Sequence, residues 1–153
     1  MPFDTSKPLK RVAKQSCAHQ KRQLPRSRAH VLAADVDWLV SVAPGGAETH
    51  HAINADVLKA LGPEGRVFNI GRGSVIDEVA LVTALKSGDI AGAALDVFEN
   101  EPNPHLELLT MPNVLLQPHN GSATHVTRQA MGQLVVDNAK AHVAGEPLLT
   151  EIV

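Results

Sequence analysis

Aromatic side chains and cysteine are scarce in this chain of 153 residues: it has no tyrosine, one tryptophan, three phenylalanines and one cysteine. A single cysteine, Cys17, excludes an internal disulfide framework and points to a reducing compartment, read here as cytoplasmic. With aromatics at 3%, the interior has to be built from Ala, Val, Leu and Ile. That favours helices packed on a sheet over an aromatic β-sandwich. No apolar run approaches the roughly 18 residues of a membrane span, and no apolar segment follows the basic start as a secretory signal requires. G-x-G-x-x-G, the P-loop, G-x-S-x-G and H-E-x-x-H are all missing. The sequence therefore announces no phosphate loop, no serine nucleophile and no zinc site, and no metal is expected.

Hydrophobic residues make up 44% of the chain, enough for the core of one domain. The net charge of −2 conceals an asymmetry. Residues 1–34 hold eight Lys/Arg and one acid, whereas the remainder holds six Lys/Arg and fifteen acids. Residues 1–30 show no periodicity and read as a basic leader, disordered or irregular. A mitochondrial transit segment is an alternative, so organellar targeting stays open. A nucleic-acid-binding arm is disfavoured because no aromatic residues interleave with the charges, and no membrane or nucleic-acid partner is expected.

Order is expected from about Val31. Short apolar runs predict strands at Trp38–Ala43, Arg66–Ile70, Ile90–Leu95 and Asn113–Gln117. Asn54 and Asp77 read as caps of helices that present Val57, Leu58 and Leu61, then Leu81, Ala84 and Leu85. A longer helix is predicted over about Thr124–Ala144, with Val126, Ala130, Met131, Leu134 and Val135 at helical spacing and Gly145 as its stop. Strand and helix alternate, which argues for a parallel α/β sheet with right-handed crossovers, about half of a doubly wound dinucleotide-binding fold. The edge beside Trp38–Ala43 is expected to be uncovered, an aggregation risk.

In such sheets ligands sit beyond the carboxyl ends of the strands, and that is where the chemistry-bearing residues fall. Arg72 follows the second strand between Gly71 and Gly73, glycines that permit unusual backbone angles and close approach of a ligand. Its guanidinium could grip a carboxylate, or pair with a surface acid. His119 follows the fourth strand and could exchange a proton near neutral pH, or simply bond to backbone. Glu101 follows the third strand and could fix the tautomer of that imidazole. Asp96 could accept from a cofactor amide or cap its own turn. Asn120, Gly121 and Ser122 lead into the long helix, whose N-terminus suits an anionic group as well as ordinary capping. His50 and His51 are adjacent in the chain, a spacing that does not place them on one helix face.

Three segments carry a family likeness: N-I-G-R-G-S-V-I-D-E-V-A-L at 69–81, A-G-A-A-L-D-V-F-E-N-E-P at 91–102 and L-Q-P-H-N-G-S-A-T at 116–124. With 32–46 and 131–150 they resemble the D-isomer-specific 2-hydroxyacid dehydrogenases, most of all the glyoxylate/hydroxypyruvate reductase group. The likeness covers about Val31 to Val153; the leader resembles nothing in the family. It implies a partial doubly wound parallel sheet, the second half of a Rossmann-type NAD(P)-binding domain, over 31–153. It implies Arg72, Glu101 and His119 as catalytic residues. Ala43, Pro44, Ile70, Gly71, Arg72, Asp96, His119, Asn120, Gly121 and Ser122 would line NAD or NADP. The implied substrate is a small 2-keto or 2-hydroxy acid. Family members are longer, with a substrate domain and a glycine-rich phosphate loop that this sequence does not show. The chain alone is therefore expected to be weakly active or inactive. The alternative is a non-catalytic remnant or dimerisation module that keeps the half-fold, as a homodimer or paired with a full-length relative.

Overall fold

Asparagine, aspartate and threonine at three loop ends, each followed by an apolar helical stripe, set the helix starts in the computed structural model, which describes residues 12–15 and 26–151. Asn54 accepts from Val57 N–H at 3.1 Å and opens α2 (Ala55–Leu61). Asp77 accepts from Ala80 N–H at 2.9 Å and opens α3 (Glu78–Ser87). Thr124 accepts from Thr127 N–H at 3.1 Å and opens α4 (His125–Ala144). Each cap satisfies an amide that the first helical turn leaves without a carbonyl. Gly88 and Gly145, both left-handed, close α3 and α4.

Five strands form one parallel sheet in chain order: β1 (Val12–Gln15), β2 (Trp38–Ser41), β3 (Arg66–Asn69), β4 (Gly92–Leu95) and β5 (Val114–Leu116). Each predicted strand from β2 onward is present but one or two residues shorter at its ends. Two described elements fall within or across the stretch read as leader. One is β1, which pairs with β2 from Val12↔Trp38 to Gln15↔Ser41, so the edge expected to be bare carries a strand. The other is α1 (Arg26–Ala34), which starts before Val31. The rest of that stretch, Cys17 included, lies outside the described residues.

Parallel strands that neighbour one another in chain order, with crossovers of one hand as such connections take, place α1, α2 and α3 on one face of the sheet. These helices pack in sequence, α1 on α2 and α2 on α3. Alternation along the strands sends Leu39, Val67, Ala93 and Leu95 into the core with Val57, Leu58, Leu61, Leu81 and Leu85. Burying a side chain such as Leu58 or Leu81 contributes about 2 kcal/mol. The alternate residues are only half-buried, so the runs are not covered on both faces as parallel strands usually are. Trp38 and Phe68 stack there with ring centroids 5.0 Å apart. β4 passes to β5 without a helix, through a 3-10 turn at Leu106–Thr110 whose Leu108 is buried.

The chain divides into two compact units, 1–119 and 120–153. The second is α4 with its flanking turns. The periodicity that predicts α4 gives the right element but not the burial: Val126, Met131 and Val135 are exposed.

Gly71 and Gly73 are needed for a different reason from the one expected. Neither has a positive φ. Both touch the protein's own main chain: a Cβ on Gly71 would stand 2.4 Å from the Ala43 carbonyl oxygen, and one on Gly73 1.8 Å from that of Phe98. The Gly73 contact closes the gap between the turn after β3 and the turn after β4. Gly73→Ala is therefore expected to cost about 3 kcal/mol in urea denaturation, the upper end of what overpacking costs, because the atoms met are backbone. A cost within measurement error would show that the two turns are not in contact.

Candidate functional site

Because all strand pairs are parallel, the turns after β2, β3, β4 and β5 share one rim of the sheet. Main-chain bonds carry the ladder past the strand ends: Ile70 N–H donates to Ser41 O, Asp96 N–H to Asn69 O and Gln117 N–H to Leu95 O. Arg72, Glu101 and His119 therefore stand on successive turns of that rim.

Arg72 is held by its backbone. Asn69 is buried at the end of β3 and clamps the turn from both sides of its amide. Its Nδ2 donates to Arg72 O at 2.9 Å, and its Oδ1 accepts from Gly71 N–H at 3.1 Å. The guanidinium is exposed, with Nη1 donating to Gly71 O at 2.8 Å.

His119 and Glu101 meet. His119 Nδ1 lies 2.8 Å from Glu101 Oε2, and Glu101 Oε1 accepts from Phe98 N–H at 3.1 Å. His119 adopts a left-handed backbone conformation, φ 53°, uncommon for a residue with a Cβ although histidine takes it more readily than most. The hydrogen bond from His119 holds the Glu101 carboxyl below the usual carboxylate range. Desolvation opposes this. The Phe98 amide and then the charges of His119 and Arg72 reinforce it. Arg72 thus reaches Glu101 electrostatically although no hydrogen bond links them. Beside the pair is a cavity of about 310 Å³, walled by Phe98, Pro102, Pro104, Leu109, Leu116 and Pro118.

The other residues singled out in the sequence are more scattered. Ala43 is buried, and Pro44 and Ile70 are exposed at the ends of β2 and β3. Gly71 is buried against Ala43. Asp96 is half-buried beyond β4, with its amide on Asn69 O. Asn120, Gly121 and Ser122 belong to the second unit, in an exposed turn where Ala123 N–H donates to Asn120 O and Thr124 N–H to Ser122 O.

Sequence reasoning missed Asn69 and Glu78, which act on backbone amides, and it missed His51. His51 Nε2 lies 2.5 Å from Glu99 Oε1, and its Nδ1 lies 3.8 Å from Asp77 Oδ2. His50 and His51 sit in a turn with rings stacked at 3.9 Å, and with Glu99 they bring donor atoms within 4.8 Å of one another. Adjacency in the chain hid this, because the pair lies in a turn rather than on a helix face. A positive φ of 49° at His51 reorients it, and the sequence gives no sign of that.

Comparison with known proteins gives this rim its context. Residues 8–121 match the family model described as D-isomer specific 2-hydroxyacid dehydrogenase, NAD binding domain. The match begins well before Val31, so the likeness reaches into the stretch expected to resemble nothing in the family. The chain is 51% identical over 122 residues to a hydroxyphenylpyruvate reductase of Plectranthus scutellarioides, and 48% identical to a glyoxylate/hydroxypyruvate reductase of Arabidopsis thaliana. Each alignment covers 80% of this chain and 39% of the relative. An NADPH-dependent glyoxylate/hydroxypyruvate reductase from Sinorhizobium meliloti, solved with NADP and malonate, superposes with a TM-score of 0.80 at 56% identity. That superposition covers 82% of this chain and 39% of the other. The chain thus spans about two fifths of the length of these relatives. With a family model matched over most of its residues and a parallel sheet of the same fold, the chain belongs to the D-isomer specific 2-hydroxyacid dehydrogenase family, in its NAD binding domain.

Proposed function

We propose that this chain carries the catalytic rim of an NAD(P)-dependent dehydrogenase that interconverts a small 2-keto acid and its 2-hydroxy acid, of the glyoxylate or hydroxypyruvate kind. The observation that carries the reading is the His119–Glu101 pair, formed between the two turns that follow Arg72's along the rim. The residues present suit the nicotinamide end of the cofactor. Ile70 leaves an apolar side chain 59% exposed at the end of β3, with Val42 also exposed at the end of β2, as a flat ring requires. Ala43, Pro44, Ile70, Gly71, Arg72, Asp96 and His119 are the residues of this rim proposed to hold it; Asn120, Gly121 and Ser122 are proposed as cofactor residues on the family likeness alone. When bound, NAD(P)H supplies the hydride for the substrate carbonyl carbon.

The protein's own part is proton transfer and positioning. Glu101 engages Nδ1 of His119, which leaves Nε2 for the substrate. In reduction, the imidazolium gives its Nε2 proton to the carbonyl oxygen while Glu101 keeps the Nδ1 proton in place. In oxidation, the neutral ring takes the hydroxyl proton at Nε2. Arg72 has Nη1 on Gly71 O, and its remaining N–H groups are available to a substrate carboxylate. The reading also takes the chain as a partial NAD(P)-binding domain, one that begins ahead of the residue 31 expected from the sequence, since β1 and α1 belong to the same sheet and helix layer. A second reading, a dimerisation module that has lost catalysis, draws on the exposed Val126, Met131 and Val135 of α4.

Mixing the chain with NADH or NADPH and glyoxylate or hydroxypyruvate tests the first reading. Loss of absorbance at the reduced nicotinamide band is expected to be slow for this chain alone, and to fall at least about 100-fold in His119→Ala. Arg72→Lys is expected mainly to raise KM, since an ammonium cannot form two parallel bonds to a carboxylate. If neither turnover nor NAD(P)H binding is found, and light scattering shows a dimer that Val135→Lys dissociates, the second reading replaces the first.

The pair also makes stability depend on pH. A carboxyl whose folded value is depressed contributes stability above its ordinary value of 4.5, and loses it as pH falls through the lower folded value. The stability gap between the wild type and Glu101→Gln is therefore expected to be full at neutral pH and to narrow in acid. Thermal melts across that range check it, and a gap independent of pH would show the pair to be unformed.

A further inference from the structure

Glu78 is a carboxylate in the core that the reaction does not use. It is the first residue of α3, only 6% exposed. Asp77 already caps that helix, so Glu78 is not needed as its cap. Both of its oxygens are engaged by main-chain amides of one distant loop: Oε1 accepts from Glu99 N–H at 2.6 Å, and Oε2 accepts from His105 N–H at 3.1 Å. These amides are 21 and 27 residues away in the chain. They bracket the loop 99–105, and Glu101 lies between them. A first-turn position favours a negative group, and hydrogen bonds to a carboxylate are stronger than those between neutral partners.

We propose that Glu78 is a positioning residue for the site: its buried carboxylate staples the two ends of the 99–105 loop to α3 and so presents Glu101 to His119. Three further contacts converge on the same loop. Gly73 meets the main chain of Phe98 and Glu99, His51 Nε2 holds the Glu99 side chain, and Phe98 N–H reaches Glu101 Oε1. Of these, only Glu78 engages both ends of the loop. It also lies six residues past Arg72 in one continuous segment, so it couples the turn that carries the guanidinium to the loop that carries the acid. Without it, Glu101 would leave His119 before either turn unfolded, because the lost bonds are local to the loop. The catalytic consequence rests on the dehydrogenase reading; the positional one does not.

The test is nuclear magnetic resonance on the full chain, which needs no turnover. In the wild type, the Glu99 and His105 amides are expected to exchange with solvent at least about tenfold more slowly than the Glu101 amide between them. Equal exchange overturns the staple, whatever the variants do. In Glu78→Gln, which keeps the volume but offers one acceptor oxygen, the side-chain carboxyl of Glu101 is expected to titrate at higher pH than in the wild type. In Glu78→Ala it is expected to titrate higher still. A variant that melts earlier but leaves the Glu101 titration unmoved shows that Glu78 serves stability alone and overturns the proposal. If Glu78→Ala does not fold, Glu78→Gln and the wild-type exchange decide between the two roles. Where the wild type reduces a 2-keto acid, Glu78→Gln is expected to lower kcat roughly tenfold with KM unchanged. The acid limb of its pH profile should rise with the Glu101 titration, because the pair works with Glu101 ionised. Absence of wild-type turnover counts against the dehydrogenase reading and leaves the carboxyl titration to decide on Glu78.

Discussion

Parallel pairing is the constraint on which the rest of this structure depends. An antiparallel neighbour would send alternate strand ends to opposite edges and separate the turns that carry Arg72, Glu101 and His119. Here β3, β4 and β5 run the same way, and their ladder continues past the strand ends through Asp96 N–H on Asn69 O and Gln117 N–H on Leu95 O. Three groups spread over 48 residues of chain are thereby brought to one rim. The polar side chains need only short turns to meet. The apolar strands behind them hold those turns fixed.

The turns are in turn held by contacts that have no chemistry of their own. Asn69 uses both ends of its amide on the backbone around Arg72. Gly73 removes a side chain so that the Arg72 turn can touch the main chain of Phe98. Glu78 commits both oxygens to the loop around Glu101. Each side chain or glycine is itself buried, and each satisfies or spares a backbone group that is at least part-buried, whose loss would cost about as much as a typical destabilising mutation. The exposed, chemistry-bearing side chains thus rest on a buried polar layer, an order common where a site must be rigid yet open to solvent.

How much of this could be read from the chain depended on the distance over which each cause acts. Caps at Asn54 and Asp77 act within three residues, and they are found where the pattern placed them; Thr124, read as the first residue of the long helix, is its cap instead. Strand centres were legible, but their ends were not, because a ladder stops where its partner does. α1 and β1 were not legible: no apolar periodicity marks Val12–Gln15, and the stretch is dominated by Lys, Arg and Gln. α4 shows the converse. Its spacing predicted the helix, yet Val126, Met131 and Val135 are exposed, since periodicity says which residues share a face and not what lies against it.

By itself the sequence determined the α/β class, the starts of α2 and α3 and the positions of Arg72, Glu101 and His119 beyond strand ends, because those features follow from composition and from neighbours a few residues away. Only the tertiary structure decided that His119 Nδ1 stands 2.8 Å from Glu101 Oε2, that His51 turns onto Glu99, and that Glu78 holds the loop between them. Those contacts join residues 18 to 48 apart, and only strand order and register set their distances.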